Sequence, residues 1–527
     1  MPAPFSMDEA RAAVNDAQAV VDTCVKRFTE PGSVDADQVI AYDLAHAAAA
    51  VACAAAAADY GDRGDTDAGL AAVFIADAIF DVASRILGRE EQWGVEPGAL
   101  DKAVRMTAAG RDPKFMASLC GEQGPRYLGD MEMVQDSFRR FAEDKLKPIA
   151  EHIHRTNADI PEEIISGIAE LGAFGLSVPE EYGGWATGDE NEYLSMVVAT
   201  EELSRGSLGA GGSLITRPEI LARALVAGGT EEQKHEWLPK LASGEIMAAV
   251  AVTEPDFGSD SGGVKTTAVR DGDDYVINGV KTWCTFGARG DVLMLMARTG
   301  TEPKHRGLSL FVVPKERGNG HGFEQVQPGG GKMEGRAIDT IGYRGMHSYE
   351  ISFDGWRVPA ANLIGGDAGL NKGFYMQMKG FENGRLQTAA RAIGVMQAAY
   401  EAALDYAQNR VIFEQPLANY QLTQAKLTKM AATIQIARQY SYTVARLMAN
   451  GGGSMEASLV KAYVCRAAEW VTREALQIHG GMGYAEEFPV SRYFVDARVL
   501  SIFEGADEVL ALRVILPFLV NPDRLKK

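Results

Sequence analysis

Cysteine is scarce in this chain, and its few occurrences are widely separated. The 527 residues contain five cysteines, an odd number, at Cys24, Cys53, Cys120, Cys284 and Cys465. This spacing excludes a disulfide framework and the clustered pairs that bind structural zinc. We therefore expect no metal centre and a reducing, cytoplasmic environment.

Positive charge and long apolar runs are also in short supply. Lys and Arg total 52 against 71 Asp and Glu, a formal net charge of -19, which disfavours nucleic acid or an anionic membrane as the main partner. No run of about 18 apolar residues is free of charge, so we expect no membrane span. The opening MPAPFSMDEA has neither the basic nor the apolar region of a secretory signal.

What is present is helical texture at both ends and strand texture between them. The length suits roughly three or four domains, and the composition changes divide the chain into 1–125, 126–248, 249–365 and 366–527. The first part is rich in alanine and predicts two long helices, AYDLAHAAAAVACAAAAADYG and LAAVFIADAIFDVASRILG. The third part predicts an antiparallel sheet or small barrel from six apolar runs: AAVAVTE, KTTAVR, DYVING, VLMLMAR, LSLFVVP and YEISFDGW. The fold class is therefore mainly α with a central β-domain, without the βαβ alternation of a doubly wound nucleotide fold.

Three short motifs do not support the chemistry that they suggest. SDSGG at 259–263 looks like a serine-protease nucleophile segment, but no histidine context accompanies it. His152 and His154 lie two apart on a predicted helix, so they point to different faces and are interpreted as solvated side chains rather than a metal pair. GGMGY at 480–484 follows no strand, which excludes a dinucleotide-binding fingerprint.

The most informative acid is Glu504, in RVLSIFEGADEVLALRVI at 498–515. Asp507 and Glu508 suit the first turn of a helix, where acids interact favourably with the helix dipole. Glu504 instead lies where an apolar run, interpreted as extended, gives way to that helix. Apolar neighbours withdraw water from a carboxylate and make it a stronger base. The pattern therefore favours a general base at Glu504.

Five ordered segments resemble the acyl-CoA dehydrogenase family. They are VTEPDFGSD (252–260), INGVKTWCTFG (277–287), NRVIFEQPLANYQ (409–421), QIHGGMGY (477–484) and IFEGADE (502–508). The resemblance covers about residues 126–520 and implies a helical domain, a β-barrel-like domain and a C-terminal four-helix bundle. Residues 1–125 are then an added helical segment. Within the family, that segment and the overall length look most like members acting on an α-methyl, dicarboxylic acyl-CoA.

The resemblance also implies the reaction and its main residues. It implies FAD-dependent α,β-dehydrogenation of an acyl-CoA thioester, with the electrons passed to an electron-transfer flavoprotein. Glu504 would remove the α-proton while flavin N5 takes the β-hydride. Arg385 would lie near this base, the alternative being an ordinary salt bridge at a helix start.

Further positions match the family's cofactor and substrate contacts. The flavin contacts implied by the resemblance are Val252, Thr253, Trp283 and Thr285, and Ser259 is implied to lie between cofactor and acyl-CoA. The implied contacts to the FAD of a neighbouring subunit are Arg410, Phe413, Gln477, Gly480 and Gly481. Two residues depart from the common pattern: Glu414 replaces glycine, and Ala506 replaces a frequent threonine, which puts a hydrogen bond near FAD in doubt.

A distal carboxylate on the substrate would need a cation or several donors if it is buried. Arg205 and Arg217 lie on the segment that lines the acyl pocket in the family, and they are our candidates for that role. The alternative for each is a solvated arginine at a helix end.

Other functions and assemblies remain open from the sequence. The reaction alternatives are a short- or branched-chain acyl-CoA dehydrogenase and an acyl-CoA oxidase, the latter disfavoured because no second C-terminal bundle follows Glu504. A flavin-containing nucleic-acid-binding relative is opposed by the acidic balance. Many family members are tetramers, and residues 1–125 are interpreted as a layer that covers the second interface. We therefore expect a homodimer.

Overall fold

The computed structural model describes residues 2–522, leaving out the side chain of Lys379. The chain forms two compact units. Residues up to Glu132 and those from Thr388 onward form the first unit, and Met133–Gln387 form the second. The N-terminal helices and the C-terminal helices therefore share one unit.

The N-terminal part of the first unit is helical. Its helices are α1 (Met7–Val25), α2 (Ser33–Ala36), α3 (Gln38–Gly61), α4 (Asp65–Ile86), α5 (Glu90–Trp93), α6 (Asp101–Gly110) and α7 (Pro113–Ser118). Helix α1 begins with a capping box, in which the Ser6 hydroxyl accepts from the Glu9 N–H and the Glu9 carboxylate accepts from the Ser6 N–H at 2.8 Å. This reciprocal pair satisfies two N–H groups that a helix start leaves open.

Helix α3 contains the alanine-rich run, and this run is largely buried. Ala45, Ala47, Ala49 and Ala57 have no exposed surface. Because alanine is small, neighbouring helices can approach closely, and α3 packs against α1 and α4. By length and composition, Gln38–Gly61 could also cross a membrane, but 67% of its apolar window is buried inside the structure. That burial is the pattern of a core helix.

The second unit starts with helices and continues into a sheet. Its helices are α8 (Glu132–Phe141), α9 (Lys147–Thr156), α10 (Glu162–Glu170), α11 (Glu190–Gly206), α12 (Thr216–Gly228), α13 (Glu231–Ser243), α14 (Gly366–Gly369) and the start of α15 (Gly373–Asn409). Its strands are β1 (Ala248–Ala251), β2 (Thr267–Asp271), β3 (Asp274–Thr285), β4 (Val292–Arg298), β5 (Leu308–Pro314), β6 (Gly322–Val326), β7 (Lys332–Ile338) and β8 (Ser348–Pro359).

The strands form one mixed sheet in the order β1-β4-β2-β3-β8-β7-β6, with β5 also paired to β4. Most pairs are antiparallel, as expected, but β4 pairs in parallel with β1 and with the start of β2. Strand β4 reads as an unbroken apolar run because both of its faces are buried. Val292, Met294 and Met296 join an apolar core with α12 and α13, whereas the intervening Leu293 and Leu295 join a core with β3 and β8.

The C-terminal part of the first unit is again helical. After the hairpin β9 (Val411–Ile412) and β10 (Gln415–Pro416), its helices are α16 (Gln421–Ala449), α17 (Ser454–His479), α18 (Gly481–Tyr484), α19 (Val490–Leu500), α20 (Asp507–Val509) and α21 (Leu516–Val520), with a π-helical stretch at Leu510–Ile515. Helix α3 packs against α16 and α17. The Tyr60 hydroxyl accepts a hydrogen bond from Gln435 Nε2 at 3.0 Å, so α3 is tied to α16 by a polar contact as well.

Three local expectations were wrong. The run before Glu504 is the end of helix α19 and a turn rather than an extended segment. Strands β6 and β7 were not expected, because GFEQV and KMEGRAI mix charges and glycine with few apolar residues. His154 is buried rather than solvated, since it lies on the side of α9 that also buries Ala150.

Candidate active site

The segment that follows β1 contains two predicted flavin-contact residues, Val252 and Thr253, and hydrogen bonds hold the backbone of both. The backbone carbonyl of Val252 accepts a hydrogen bond from Lys281 Nζ at 3.0 Å, and that of Thr253 accepts from the Thr282 N–H at 2.8 Å. Val252 packs into the apolar core on the helical side of the sheet. The end of β1 and the middle of β3 therefore fix the backbone of Val252 and Thr253.

A buried ion pair lies behind this segment. Lys281 Nζ is 2.8 Å from Glu254 Oε1, and the Glu254 carboxylate also accepts from the N–H groups of Lys265 and Thr266. Burial lowers the pKa of Lys281. Although burial acts to raise it, Lys281 and the two N–H groups hold the pKa of Glu254 below its usual value. This pair was not predicted from the sequence, where its signal was a lysine inside the strand DYVINGVKTWCT.

Trp283 and Thr285 lie at the end of β3, next to an irregularity in its pairing with β8. The pairing shifts register between Lys281 and Cys284, and Trp283 in this bulge has φ +57° and an indole that is 55% exposed. Thr285 is buried, with its hydroxyl 3.0 Å from the Ser348 hydroxyl. An exposed indole presented by a bulge suits packing against a planar ring.

The predicted substrate residues of the second unit differ in exposure. Ser259 is exposed on the loop after Glu254, whereas Arg205, Arg217 and Arg385 are buried. Burial contradicts the alternative of solvated arginines at helix ends. Arg205 Nη1 lies 2.5 Å from Glu143 Oε1.

Arg205 and Lys147 both bind Glu143. Although burial acts to raise it, their hydrogen bonds hold the pKa of Glu143 below its usual value. Arg217 donates two hydrogen bonds to the hydroxyl of its neighbour Thr216, at 3.3 and 3.2 Å. Both buried arginines therefore stay candidates for a substrate carboxylate.

Glu504 occupies a strained turn in the first unit. Its φ is +55°, in the left-handed region that residues with a Cβ rarely adopt, and Gly505 follows with φ +100°. Lys461 Nζ donates to the Gly505 carbonyl at 2.5 Å. The Arg391 guanidinium lies 4.8 Å from the centre of the Phe503 ring. The Glu504 carboxylate is half-buried, and its Oε2 atom is fully covered.

The predicted FAD contacts of the first unit lie on exposed backbone turns. Phe413 and Glu414 form the tip of the β9–β10 hairpin with φ +45° and +72°, and the Phe413 ring is 90% exposed. Both central residues of such a turn need positive φ, which explains why glycine is favoured where Glu414 stands. Arg410 is exposed at the base of this hairpin.

The end of α17 has an open glycine turn. Gly480, at φ +58°, ends the helix after the exposed Gln477. A Cβ added at Gly480 or Gly481 would meet nothing within 4 Å. The open space beside these two glycines would allow another molecule to approach their backbone closely.

The second unit also contains a cluster that sequence spacing did not reveal. Potential ligand atoms of Asp159, His321 and His347 lie within 4.8 Å of one another, on three segments far apart in the chain. His347 Nε2 is 3.1 Å from Asp159 Oδ1, and His321 Nε2 is 3.1 Å from the Asn157 carbonyl. A carboxylate–imidazole contact with a second imidazole beside it accounts for the cluster.

Comparison with known proteins identifies the family to which the chain belongs. Residues 129–245, 249–356 and 371–516 match the N-terminal, middle and C-terminal domains of acyl-CoA dehydrogenase. The chain belongs to the acyl-CoA dehydrogenase family. Acyl-CoA dehydrogenases are oxidoreductases that act on acyl-CoA with FAD as cofactor, so the expected family, fold class, enzyme class and cofactor are confirmed.

Three similar proteins place the chain within this acyl-CoA dehydrogenase family. (2S)-Methylsuccinyl-CoA dehydrogenase of Cereibacter sphaeroides is 44% identical over 436 residues, which cover 80% of this chain and 78% of that protein. A glutaryl-CoA dehydrogenase from Mycobacterium smegmatis in complex with FADH2 is 27% identical, with a TM-score of 0.65 over 76% of this chain and 96% of the other. A chain in the structure of the electron transferring flavoprotein of Acidaminococcus fermentans is 31% identical, with a TM-score of 0.67 over 75% and 98%.

The residues present fit FAD. In the second unit Trp283 offers an exposed aromatic face and Thr285 a hydroxyl. In the first unit the Gly480–Gly481 turn offers an open backbone for a phosphate. The assignment of individual side chains to the cofactor stays a prediction.

Proposed function

We propose that this protein oxidises (2S)-methylsuccinyl-CoA to mesaconyl-CoA. The observation that carries the proposal is the 44% identity to a (2S)-methylsuccinyl-CoA dehydrogenase across 80% of the chain. That match is longer than the 129–516 span of the three family domains, so it includes part of the sequence outside them. The added N-terminal segment is therefore shared, at least in part, with an enzyme acting on a branched dicarboxylic thioester.

Glu504 is the proposed base. Its carboxylate takes the proton from the carbon next to the thioester carbonyl, and the backbone N–H of Glu504 is assigned to the thioester oxygen, which gains negative charge as the proton leaves. FAD, when bound, supplies the acceptor for the β-hydrogen and its two electrons. The turn at Gly505 and the contact from Lys461 hold Glu504 in one backbone conformation, so the base does not have to be ordered during the reaction.

The remaining predicted residues hold the cofactor and the acyl group. We assign Val252, Thr253, Trp283 and Thr285 to the flavin, and Ser259 to the acyl-CoA. Arg410, Phe413, Gln477 and the Gly480–Gly481 turn are assigned to the FAD of a partner subunit. Arg385, buried in the second unit, is assigned to the acyl-CoA as well.

A buried cation is proposed for the substrate's distal carboxylate. Arg205 and Arg217 are both retained for this role, because each guanidinium belongs to a buried side chain. Pairing would offset the cost of removing a carboxylate from water.

An electron-transfer flavoprotein is the proposed electron acceptor, in a cytoplasmic homodimer. The similarity to a chain in an electron transferring flavoprotein structure supports this partner. Helix α3 packs on α16 and α17, which supports the view that the N-terminal helices cover a face of the C-terminal bundle.

A panel of thioesters tests the substrate. Methylsuccinyl-CoA, a straight-chain dicarboxylic acyl-CoA, an α-methyl monocarboxylic acyl-CoA and butyryl-CoA are mixed anaerobically with the enzyme, and flavin bleaching is followed by stopped flow. We expect methylsuccinyl-CoA to bleach the flavin fastest, because it alone offers both the methyl group and the carboxylate. Faster bleaching by butyryl-CoA contradicts the proposal. Admitting oxygen then separates a dehydrogenase from an oxidase, since only an oxidase is rapidly reoxidised.

A further inference from the structure

The turn that carries Glu504 needs support from outside itself. Glu504 and Gly505 both have positive φ, and a non-glycine residue in that region persists only where the surrounding structure fixes it. On its N-terminal side, the Ser501 hydroxyl donates to Glu469 Oε1 at 2.6 Å. On its C-terminal side, the Asp507 N–H donates to the Ser501 carbonyl at 3.1 Å and closes the turn. Asp507 is therefore the residue at which the turn ends.

The Asp507 side chain is held by the N-terminal helix α3. Its Oδ2 atom accepts a hydrogen bond from the Tyr42 hydroxyl at 2.5 Å, and His46 Nε2 lies 3.3 Å from the same oxygen. Tyr42 and His46 are four residues apart on α3, so they lie on one face of the helix. Their rings pack edge to face with centres 4.4 Å apart. Two aromatic side chains of α3 thus converge on one carboxylate oxygen.

The contact is shielded from water. His46 is buried, and the Asp507 side chain is 15% exposed. Burial lowers the pKa of His46, although Asp507 acts to raise it. Burial acts to raise the pKa of Asp507 as well, but the contacts from His46 and Tyr42 hold it below its usual value. A shielded hydrogen bond to a carboxylate is stronger than one exposed to solvent.

We propose that Tyr42, supported by His46, is a positioning residue for the reaction: it anchors Asp507 and so holds Glu504 in the left-handed conformation. This role rests on the proposed function of Glu504 as the base. The N-terminal helical segment then contributes to catalysis as well as to packing, by positioning the base. A base that is displaced from its place loses its alignment with the proton that it removes.

Tyr42→Phe is the sharpest test, because it removes one hydroxyl and keeps the ring against His46. We expect the rate of flavin reduction by methylsuccinyl-CoA under anaerobic conditions to fall roughly tenfold. Substrate affinity and FAD content should stay near those of the unaltered protein, and the Tm should fall only slightly, because one shielded hydrogen bond is lost. The kinetic isotope effect with substrate deuterated at the α-carbon should increase, because proton removal becomes the slower step. Loss of packing alone would not change that isotope effect.

Two substitutions of Asp507 and one substitution at a separate ion pair provide matched controls. Asp507→Asn keeps an oxygen that can accept from Tyr42, so its rate should stay within about threefold of the unaltered protein, whereas Asp507→Ala should resemble Tyr42→Phe. Arg513→Ala removes an exposed ion pair to Asp35 at 2.6 Å. This pair also joins α2 to the C-terminal helices but does not contact Asp507, so its loss should leave the rate unchanged.

Glu504→Gln, assayed beside these variants, separates the two proposals. If Glu504→Gln reduces the flavin as fast as the unaltered protein, the base is elsewhere and the proposed function fails. If Glu504→Gln is inactive while Tyr42→Phe retains the full rate and the same isotope effect, only the positioning role of Tyr42 is overturned.

Discussion

Glu504 is the single residue on which the proposed chemistry depends most. Its backbone conformation is unusual for a residue with a Cβ, and one of its carboxylate oxygens is covered. Gln has the same shape but cannot accept a proton as a base, so Glu504→Gln should bind FAD and acyl-CoA normally. Turnover should fall by a factor on the order of a hundred or more, because general-base catalysis typically contributes that much. Steady-state kinetics should therefore show a lower kcat with little change in KM.

Glu508→Gln is the matched control for that prediction. Glu508 is an exposed acid four residues further along the chain, so neutralising it changes the net charge equally without affecting the turn. It should retain normal turnover. If Glu504→Gln keeps more than about a tenth of the rate, general-base catalysis by Glu504 is untenable.

At the scale of secondary structure elements, strong periodic patterns were readable from the sequence and irregular backbone was not. Helices α3 and α4 follow from alanine-rich and apolar runs, and β4 from VLMLMAR, because local composition matches the buried environment there. Strands β6 and β7 were missed because pairing, of β7 with β8 and of β6 with β7, rather than their own composition, makes them strands. The run before Glu504 was interpreted as extended, and the turn that follows was not predicted, because its conformation depends in part on the contact from Lys461, which lies far away in the sequence.

The candidate site shows the same limit. The motifs pointed to Glu504, Trp283 and the Gly480–Gly481 turn, since each lies within a short recognisable segment. The buried Lys281–Glu254 pair lies within those motifs but was not recognised, because pairing across 27 residues is a property of the folded sheet. The contact from Tyr42 to Asp507 spans 465 residues, and no local pattern could indicate it.

The glycine turn after α17 offers a test at the same scale. An added Cβ at Gly481 would meet nothing within 4 Å, so Gly481→Ala should not change the Tm of the FAD-free protein. If the backbone approaches a phosphate of FAD there, the new methyl group should weaken FAD binding, by about tenfold for a loss of about 1.4 kcal/mol. Fluorescence titration of FAD into the FAD-free protein measures this directly.

Gly329→Ala is the comparison for that experiment. Gly329 is exposed and also has nothing within 4 Å of an added Cβ, but it lies far from the predicted FAD contacts in sequence. FAD should bind to Gly329→Ala as it binds to the unaltered protein. Equal affinities for the two alanine variants would remove Gly481 from the cofactor site.

At the scale of the whole molecule, the N-terminal helices and the C-terminal helices fold as one unit. The contacts between them are both apolar and polar: Phe74 packs against Tyr463 with ring centres 5.5 Å apart, and Thr428 donates to the Met116 carbonyl at 2.7 Å. Removing the N-terminal helices would expose apolar side chains of α16 and α17 that they now cover. Contiguous exposed apolar surface drives association between chains.

We therefore predict that the intact chain is a dimer and that a chain starting at Gly124 forms tetramers or aggregates. Light scattering at several protein concentrations, with FAD content measured on each fraction, distinguishes these states. The shortened chain also lacks Tyr42, so any soluble fraction that binds FAD should reduce it slowly, at about the rate of Tyr42→Phe. An intact tetramer contradicts the covering role of residues 1–125. A shortened chain that stays dimeric and turns over at the full rate contradicts both the covering role and the positioning role, because it would show that neither the covered face nor the Asp507 contact is needed.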